Sequence, residues 1–170
     1  PGESWRYGLS ADVLGGIVEV ASGQKFGEFL QKEIFEPLGM KDTGFVVPKE
    51  KRHRFAANYQ WCEETGRLEP FRKNHLGLEG YGEDVTFESG GAGLVSTIDD
   101  YSRFARMMLH GGTFNGVRIL GRKTVELMTS PHLNEQQMKD FNWESLWGYN
   151  YGCLTRVLVN PGEAGSNASI

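Results

Sequence analysis

Apolar side chains recur at helical spacing near the start of the chain, in the stretch that follows Ser10. Five of them share one predicted helix face: Val13, Leu14, Ile17, Val18 and Ala21. A serine just before such a run is a favoured N-cap, and a glycine just after it supplies a left-handed C-terminal turn. The pattern therefore predicts a first helix that is capped by Ser10 and stopped by Gly23.

A second apolar face follows directly along the chain. It consists of Phe26, Phe29, Leu30 and Ile34. Proline disfavours helical backbone at the residue before it, and its own nitrogen has no hydrogen to donate. Because Pro37 comes next, we predict that this second helix ends near Phe35 or Glu36.

The third helical pattern is the clearest, because it has both a cap and a continuous apolar stripe. Ser96 or Thr97 is placed to cap it, and Asp99 or Asp100 three residues later is placed to complete a capping box. A pair of glycines at 111–112 ends it. The predicted buried stripe consists of Ile98, Tyr101, Phe104, Ala105, Met108 and Leu109.

Shorter patterns predict strands and one more helix. Residues 55–71 carry two aromatic-containing runs around a Glu-Thr-Gly turn, which is typical of a β-hairpin. Residues 116–120 and 147–160 each favour one extended segment, the latter with aromatic and β-branched side chains. Residues 121–130 predict a short helix that is broken at Pro131. Several helices combined with hairpin strands indicate an α+β fold.

Composition and charge narrow the function classes. The 170 residues are 39% hydrophobic, which suits one globular domain or a large piece of one. The formal net charge at pH 7 is -4, with both signs mixed along the chain. Because there is no basic stripe and no apolar run of membrane-spanning length, we expect neither a nucleic-acid partner nor a membrane span.

Residue types that bind metals are scattered. Cys62 and Cys153 show neither a Cys-x-x-Cys spacing nor paired histidines nearby. A disulfide between them is the alternative, which no further signal supports, and we interpret them as buried free thiols. Surface or helix-capping roles are favoured for all four histidines, which are His53, His75, His110 and His132. The sequence therefore predicts neither a metal nor an organic cofactor.

Common catalytic signatures are missing from the sequence: it has no Gly-x-Ser-x-Gly elbow, no His-Glu-x-x-His and no Walker loop. Ser22 and Lys25 do form a Ser-x-x-Lys, the spacing of nucleophile and lysine in penicillin-recognising enzymes. Gly23 inside this motif suits a helix first turn poorly, and short motifs often match by chance. We therefore do not assign Ser22 as a nucleophile.

Three longer stretches resemble the serine β-lactamase-like family, which includes class C β-lactamases, D-alanyl-D-alanine peptidases and carboxylesterases of the same fold. They are PGESWRYGLSADVLGGIVEVASGQKFGEFLQKEIFEPLGMKDTGF, GGAGLVSTIDDYSRFARMMLHGG and RILGRKTVELMTS, in the family's order. The resemblance implies a β-lactamase/D-alanyl-D-alanine peptidase-like α+β fold. Residues 1–170 would be a single partial domain of it, mostly the helical portion with a hairpin and flanking strands.

The resemblance also implies three catalytic elements. In the family a Ser-x-x-Lys precedes a tyrosine loop, and a third motif follows on a core strand. Tyr7 matches the tyrosine loop, so we expect the nucleophile before Pro1 and the third motif after Ile170. A serine hydroxyl needs a base to take its proton, and a tyrosine beside a lysine suits that role. By pattern alone, Tyr7 would simply pack beside Trp5.

Four further residues are expected to line the substrate. Leu9 stands where β-lactamases and peptidases of the family usually have an asparagine that binds the substrate amide, which favours ester substrates. Gly90, Gly91 and Ala92 match a segment along the family's substrate cleft, although a tight turn before the third helix explains them equally well. Four aromatic residues are interpreted as packing groups, with a substrate wall as the alternative: Trp143, Trp147, Tyr149 and Tyr151.

We therefore expect a serine hydrolase that cleaves a small-molecule ester through an acyl-enzyme, with Tyr7 as part of its general base. The 170-residue chain alone is expected to be inactive. A β-lactamase or D-alanyl-D-alanine carboxypeptidase, acting on a β-lactam-like substrate or a peptide, is the alternative within the same fold. A non-catalytic ligand-binding relative that has lost the nucleophile is the alternative of another class.

Overall fold

The computed structural model describes residues 2–71, 81 and 85–165. Backbone contacts divide the chain into a terminal unit, Pro1–Ala11 with Ser102–Ile170, and a central unit, Asp12–Tyr101. The helices are α1 (Ser10–Ser22), α2 (Phe26–Leu30), α3 (Glu36–Leu38), α4 (Ile98–Leu109), α5 (Arg122–Met128), α6 (Glu135–Met138) and α7 (Pro161–Ala164). The strands are β1 (Asn58–Cys62), β2 (Arg67–Phe71), β3 (Thr113–Phe114), β4 (Val117–Arg118), β5 (Tyr149–Tyr151) and β6 (Arg156–Leu158). A π-helical turn (Gln31–Phe35) and 3-10 turns (Lys49–Arg54 and Glu144–Leu146) lie between them.

The first predicted helix is confirmed as α1. It begins at Ser10, and Gly23 stops it with a left-handed φ of +70°. The Gly23 N–H donates to the carbonyl of Glu19 at 2.9 Å. Most of the predicted apolar face stays exposed, as Val13 shows at 63%. The buried position of α1 is Gly15.

The predicted end of the second helix at Phe35 or Glu36 is wrong, because the helix continues through α3 to Leu38. Between α2 and α3 the helix widens into a π-turn, in which the N–H of Glu36 donates to the carbonyl of Gln31. Pro37 follows Glu36, just after this π-turn, and the helix ends one residue later, at Leu38.

Helix α4 confirms the third helix, and Thr97 is its cap. The Thr97 hydroxyl accepts from the Asp100 N–H at 3.2 Å. Asp100 itself is buried. Its carboxylate is satisfied there, since it accepts hydrogen bonds from the Asp42 N–H at 2.6 Å and from the Thr43 hydroxyl at 3.0 Å. With Asp100 turned inward, the buried side of α4 continues to Met107, which is fully buried.

The predicted stripe on α4 is therefore wrong in most of its members. The residues that are exposed instead are Ile98, Tyr101, Ala105 and Leu109. Phe104 and Met108 are partly buried. The buried Asp100 carboxylate, which receives two hydrogen bonds, determines which side of α4 faces inward. This side differs from the one that the apolar residues of the helix predict.

The hairpin predicted for residues 55–71 is confirmed by antiparallel pairing of β1 with β2, closed by Gly66 at a φ of +61°. The extended segment predicted at 116–120 is β4, which pairs with β3. Asn115 and Gly116 join these strands with φ values of +47° and +80°. Two successive residues with positive φ are typical of a tight hairpin turn.

The single strand predicted over 147–160 is wrong, since β5 and β6 form a hairpin there. The N–H of Gly152 donates to the carbonyl of Thr155 at 2.8 Å, and Leu154 has a φ of +59°. A Cβ atom on residue 152 would lie 2.2 Å from the carbonyl oxygen of Met128. Glycine is therefore required where the chain reverses.

Each unit buries its own apolar side chains. In the central unit they are Phe35, Leu38, Met40, Phe45 and Val47. In the terminal unit they are Met107, Phe114, Val125, Phe141 and Leu146.

Across residues 2–71, 81 and 85–165, no helix combines the length and the apolar character of a membrane span.

Both cysteines are free, as expected, but neither is fully buried, so the expected burial is wrong. Cys153 is exposed in the turn between β5 and β6, and Cys62 is partly buried at the end of β1. Hydrogen bonds from the side chain and backbone of Thr65 lower the pKa of the Cys62 thiol. Both cysteines lie beside hairpin turns, where the chain runs close to solvent.

An ion cluster holds the loop that follows α3. Asp42 pairs with Lys51 at 2.7 Å and with Arg54 at 2.9 Å. Hydrogen bonds from Arg54 and then Lys51 lower the pKa of the Asp42 carboxyl from 3.8 to about 2. The Lys51 ammonium also donates to the carbonyl of Lys41 at 2.8 Å, which ties this cluster to the backbone.

We predict that Asp42 makes the stability of the protein depend on pH under acidic conditions. Because its folded-state pKa is lowered, its contribution is present above pH 3.8 and is lost as the pH falls towards about 2. Asp42→Asn should therefore flatten the pH dependence of the free energy of unfolding across this window, as measured by urea denaturation.

The control compares the two cations by NMR titration of the Asp42 carboxyl. Arg54→Gln should raise the pKa of Asp42 more than Lys51→Gln, because the Arg54 hydrogen bond is the larger cause of the shift. A wild-type Asp42 that titrates at 3.8 would contradict the prediction.

Candidate active site

Tyr7 lies in the loop that leads into α1, in the terminal unit. Its ring packs against Trp143, with 5.3 Å between ring centroids and a tilt of 57°. The ring of Trp5 lies 6.4 Å away on a similar tilt of 49°. The Tyr7 side chain is nevertheless 72% exposed, so its ring is held while the residue stays accessible.

Trp5 anchors this arrangement. Its indole meets Phe141 edge-on at 4.8 Å, and Phe141 is one of the buried residues. Trp143 and Tyr151 lie against the same indole at 5.9 and 5.7 Å. The backbone N–H of Trp5 donates to the Asp140 carboxylate at 3.2 Å. Such aromatic pairs contribute about 0.5–1.5 kcal/mol each beyond the area they bury.

We call this group the aromatic cluster; it consists of Trp5, Tyr7, Phe141, Trp143 and Tyr151. Burial raises the pKa of the Tyr151 phenol, and the charge of Tyr7 adds to that rise. A raised pKa means that Tyr151 favours its neutral, protonated form. Tyr7 therefore packs beside Trp5, as its pattern alone predicts, and Tyr7 is accessible to solvent as well.

The remaining aromatic residues of this region differ in their surroundings. Tyr149 packs beneath the guanidinium of Arg156, 5.0 Å from the ring centroid, in accordance with a packing role. Trp147 is 57% exposed at the end of a 3-10 turn, and Trp143 is 48% exposed at its start. The two tryptophans therefore present apolar surface to solvent.

Leu9 follows Tyr7 by two residues, just before α1. Its side chain is 65% exposed. It offers apolar surface and no hydrogen-bonding group, so the position cannot bind a substrate amide through its side chain.

The segment with Gly90, Gly91 and Ala92 lies in the central unit and is organised by a serine. Ser89 is buried, and its hydroxyl accepts from the Gly91 N–H at 3.2 Å and the Ala92 N–H at 3.0 Å. The same hydroxyl donates to the Asp12 carboxylate at 2.5 Å. Both backbone donors are thus used inside the loop, as a tight turn requires.

Glu88 ties this loop to the start of α2. Its carboxylate accepts from the Gly27 N–H at 2.7 Å. A Cβ atom on residue 27 would lie 2.6 Å from a carboxylate oxygen of Glu88, so a glycine permits the approach. Sequence reasoning missed Asp12, Glu88 and Ser89. The signal was a serine directly before two glycines, which is a frequent turn pattern.

Ser22 and Lys25 do not have the geometry of a catalytic Ser-x-x-Lys pair. Ser22 is the last residue of α1, and its hydroxyl accepts from the Gln24 N–H at 3.2 Å. Gly23 is left-handed and Lys25 is extended, with φ -61° and ψ 149°. The two side chains therefore do not stand one helical turn apart, in agreement with the decision not to assign Ser22.

The histidines that the structure describes have local roles. His110 Nδ1 lies 2.7 Å from the Arg106 carbonyl at the end of α4, as the helix-capping interpretation predicts. His132 Nε2 lies 2.7 Å from the carbonyl of Leu127. His53 lies in a 3-10 turn, and His75 lies outside the described residues.

In the described part of the chain, no three His, Cys, Asp or Glu side chains form a possible metal site.

The architecture around this tyrosine loop is that of the β-lactamase and penicillin-binding protein fold. The hydrolase EstCE1, described as having promiscuous acyltransferase activity, matches with a TM-score of 0.74 and 25% identity over 97% of this chain and 43% of its own. The octameric penicillin-binding protein homologue from Pyrococcus abyssi matches with a TM-score of 0.66 and 26% identity over 92% of this chain and 30% of its own.

The sequence model of the Beta-lactamase family matches residues 1–165, and the chain belongs to that family. Esterase EstB from Burkholderia gladioli is 37% identical, over 98% of this chain and 42% of EstB. Protein Rv1367c from Mycobacterium tuberculosis is 34% identical, over 96% of this chain and 40% of that protein. The chain thus spans about two fifths of the length of these relatives.

We predict that Ser89→Ala loosens the loop at Gly91 and Ala92. The Ala92 N–H would lose its acceptor, and the Gly91 N–H would keep only its longer bond to the Asp12 carboxylate at 3.4 Å. Amide hydrogen exchange at both residues should accelerate, as measured by NMR. Ser22→Ala is the matched control and should leave these two amides unchanged. Undiminished protection in Ser89→Ala would show that the hydroxyl does not hold the loop.

Proposed function

We propose that the protein is a serine hydrolase that cleaves small-molecule esters through an acyl-enzyme, with Tyr7 as part of its general base. The observation that carries this proposal is the accessible Tyr7 phenol in the loop before α1. The resemblance to the family implies its catalytic tyrosine at this position. The aromatic cluster supports it, because packing of the ring limits how far the hydroxyl can move.

The proposed reaction has two balanced half-reactions. In the first, Tyr7 takes the proton of a serine hydroxyl while the serine oxygen bonds to the ester carbonyl carbon. The bond from that carbon to the alcohol oxygen then breaks, and the proton passes from Tyr7 to the departing alcohol. In the second, water attacks the acyl-enzyme with the same proton transfers and releases the acid. The serine and its lysine belong to sequence outside residues 1–170 in this proposal, so residues 1–170 alone are inactive.

Esters are favoured over amides by two facts. Leu9 provides no side-chain group to bind an acyl amide, and the relative EstB is named as an esterase. A β-lactamase or D-alanyl-D-alanine carboxypeptidase is the second candidate, favoured by the likeness to a penicillin-binding protein homologue. It would need a different donor in place of the missing asparagine.

We predict that Tyr7→Phe in the full-length protein lowers kcat for 4-nitrophenyl acetate by about 10²–10⁴-fold, the usual contribution of a general acid–base group. Labelling of the nucleophile by a fluorophosphonate probe should slow as well. Steady-state kinetics and mass-spectrometric mapping of the labelled serine measure the two effects.

Tyr59→Phe is the control, because Tyr59 is a similarly exposed tyrosine, at 59%, on β1. It should leave both readouts unchanged. Label on Ser22 of the isolated 170-residue chain would contradict the assignment of the nucleophile. Full-length protein that neither turns over esters nor takes up label would instead support a non-catalytic ligand-binding relative.

A further inference from the structure

We propose that Trp143 binds the uncharged, apolar alcohol portion of the ester, and so sets the preference of the enzyme for its leaving group. This inference rests on the proposed ester hydrolysis. It adds a specificity residue on the leaving-group side of the candidate tyrosine.

Trp143 lies directly beside Tyr7. Its indole is the nearer of the two aromatic partners of Tyr7, at 5.3 Å against 6.4 Å for Trp5. Trp5 supports Trp143 from another direction, in an edge-on contact at 5.9 Å. Trp143 is nevertheless 48% exposed. It therefore combines a supported indole with an open surface, beside a phenol that is open as well.

When the ester carbon–oxygen bond breaks, Tyr7 must reach the alcohol oxygen within about 2.6–3.2 Å to protonate it. The carbon atoms attached to that oxygen then lie next to the side chain that flanks the Tyr7 ring. Of the two aromatic side chains that pack on the Tyr7 ring, Trp143 is the nearer, at 5.3 Å between centroids against 6.4 Å for Trp5.

The polar side-chain groups of the aromatic cluster are two phenols and two indole N–H groups, which stand at the edges of flat apolar rings. Asp140, an acid beside the cluster, already accepts a hydrogen bond from the Trp5 N–H. Flat, uncharged aromatic surface favours benzyl-like or other apolar alcohols over small polar ones.

The test compares benzyl acetate with ethyl acetate in the full-length enzyme. The two esters share the acyl group, and their alcohols have similar acidity, so their difference reports contacts to the alcohol. Trp143→Ala should lower the benzyl-to-ethyl ratio of kcat/KM by about tenfold, the value of one aromatic contact. Trp143→Phe should restore most of the ratio. The ratio of ethyl butanoate to ethyl acetate, which reports the acyl side, should not change.

Trp147→Ala is the matched control. Trp147 borders the same 3-10 turn at its other end and is 57% exposed. It should leave the benzyl-to-ethyl ratio unchanged. A purely structural role of Trp143 would lower kcat/KM for both esters in proportion, so an unchanged ratio in Trp143→Ala overturns the proposal. An equal loss in Trp147→Ala overturns it as well.

A binding measurement separates this proposal from the proposed function. Wild-type enzyme that hydrolyses none of the esters would refute ester hydrolysis, yet benzyl alcohol binding can still be followed through the indole N–H signals in NMR spectra. Weakening of that binding by about fivefold or more in Trp143→Ala, with Trp147→Ala unaffected, supports the alcohol site. Equal binding to wild type and Trp143→Ala overturns it.

Discussion

The edge-on contact of Trp5 with Phe141 is the interaction on which the candidate site depends. Phe141 is 3% exposed and belongs to the core of the terminal unit. The 4.8 Å contact therefore fastens a loop residue to a fixed part of that unit. Tyr7 and Trp143 both pack on the indole of Trp5, so their mutual position follows from one anchor. An enzyme gains from such anchoring, because a base that is held in place needs no reorganisation before it takes a proton.

In the central unit, loops are organised by carboxylates that accept backbone N–H groups. Asp100 accepts from Asp42, Glu88 accepts from Gly27, and Asp12 accepts from Ser89, whose hydroxyl in turn accepts two loop amides. Charge-assisted bonds of this kind are stronger than neutral ones, and each joins segments that are distant in sequence. The glycine-rich loop is thus shaped by contacts within the protein, and the N–H groups of Gly91 and Ala92 are already engaged.

Local patterns predicted those elements that local forces determine. Helix α1, which Gly23 stops, and the hairpin over 55–71, which turns at Gly66, depend on their own local residues, and both formed as expected. The predictions were wrong where a contact with a residue distant in sequence determines the local structure. The rotation of α4 follows from the bonds that Asp100 receives, and the reversal at Gly152 follows from the nearby Met128 carbonyl. Neither contact has a signature in the neighbouring sequence.

The candidate site, too, could be predicted from the sequence only in part. Tyr7 was predicted as a site residue only through resemblance, because a lone tyrosine in a loop has no pattern of its own. The partnership of Tyr7 with Trp143 joins residues more than a hundred positions apart, and periodicity cannot reveal such a pair. Ser89 was within reach of sequence analysis as the residue before a double glycine. Its bond to Asp12 was not, because 77 positions separate the two.

The most direct test of the account is the distance from Tyr7 to the nucleophile. It is measured in a crystal structure of the full-length protein after reaction with a fluorophosphonate. The account predicts a labelled serine outside residues 1–170, with the Tyr7 hydroxyl about 3 Å from the modified oxygen. A labelled serine well beyond hydrogen-bond reach of Tyr7, or a label on Ser22, would contradict it.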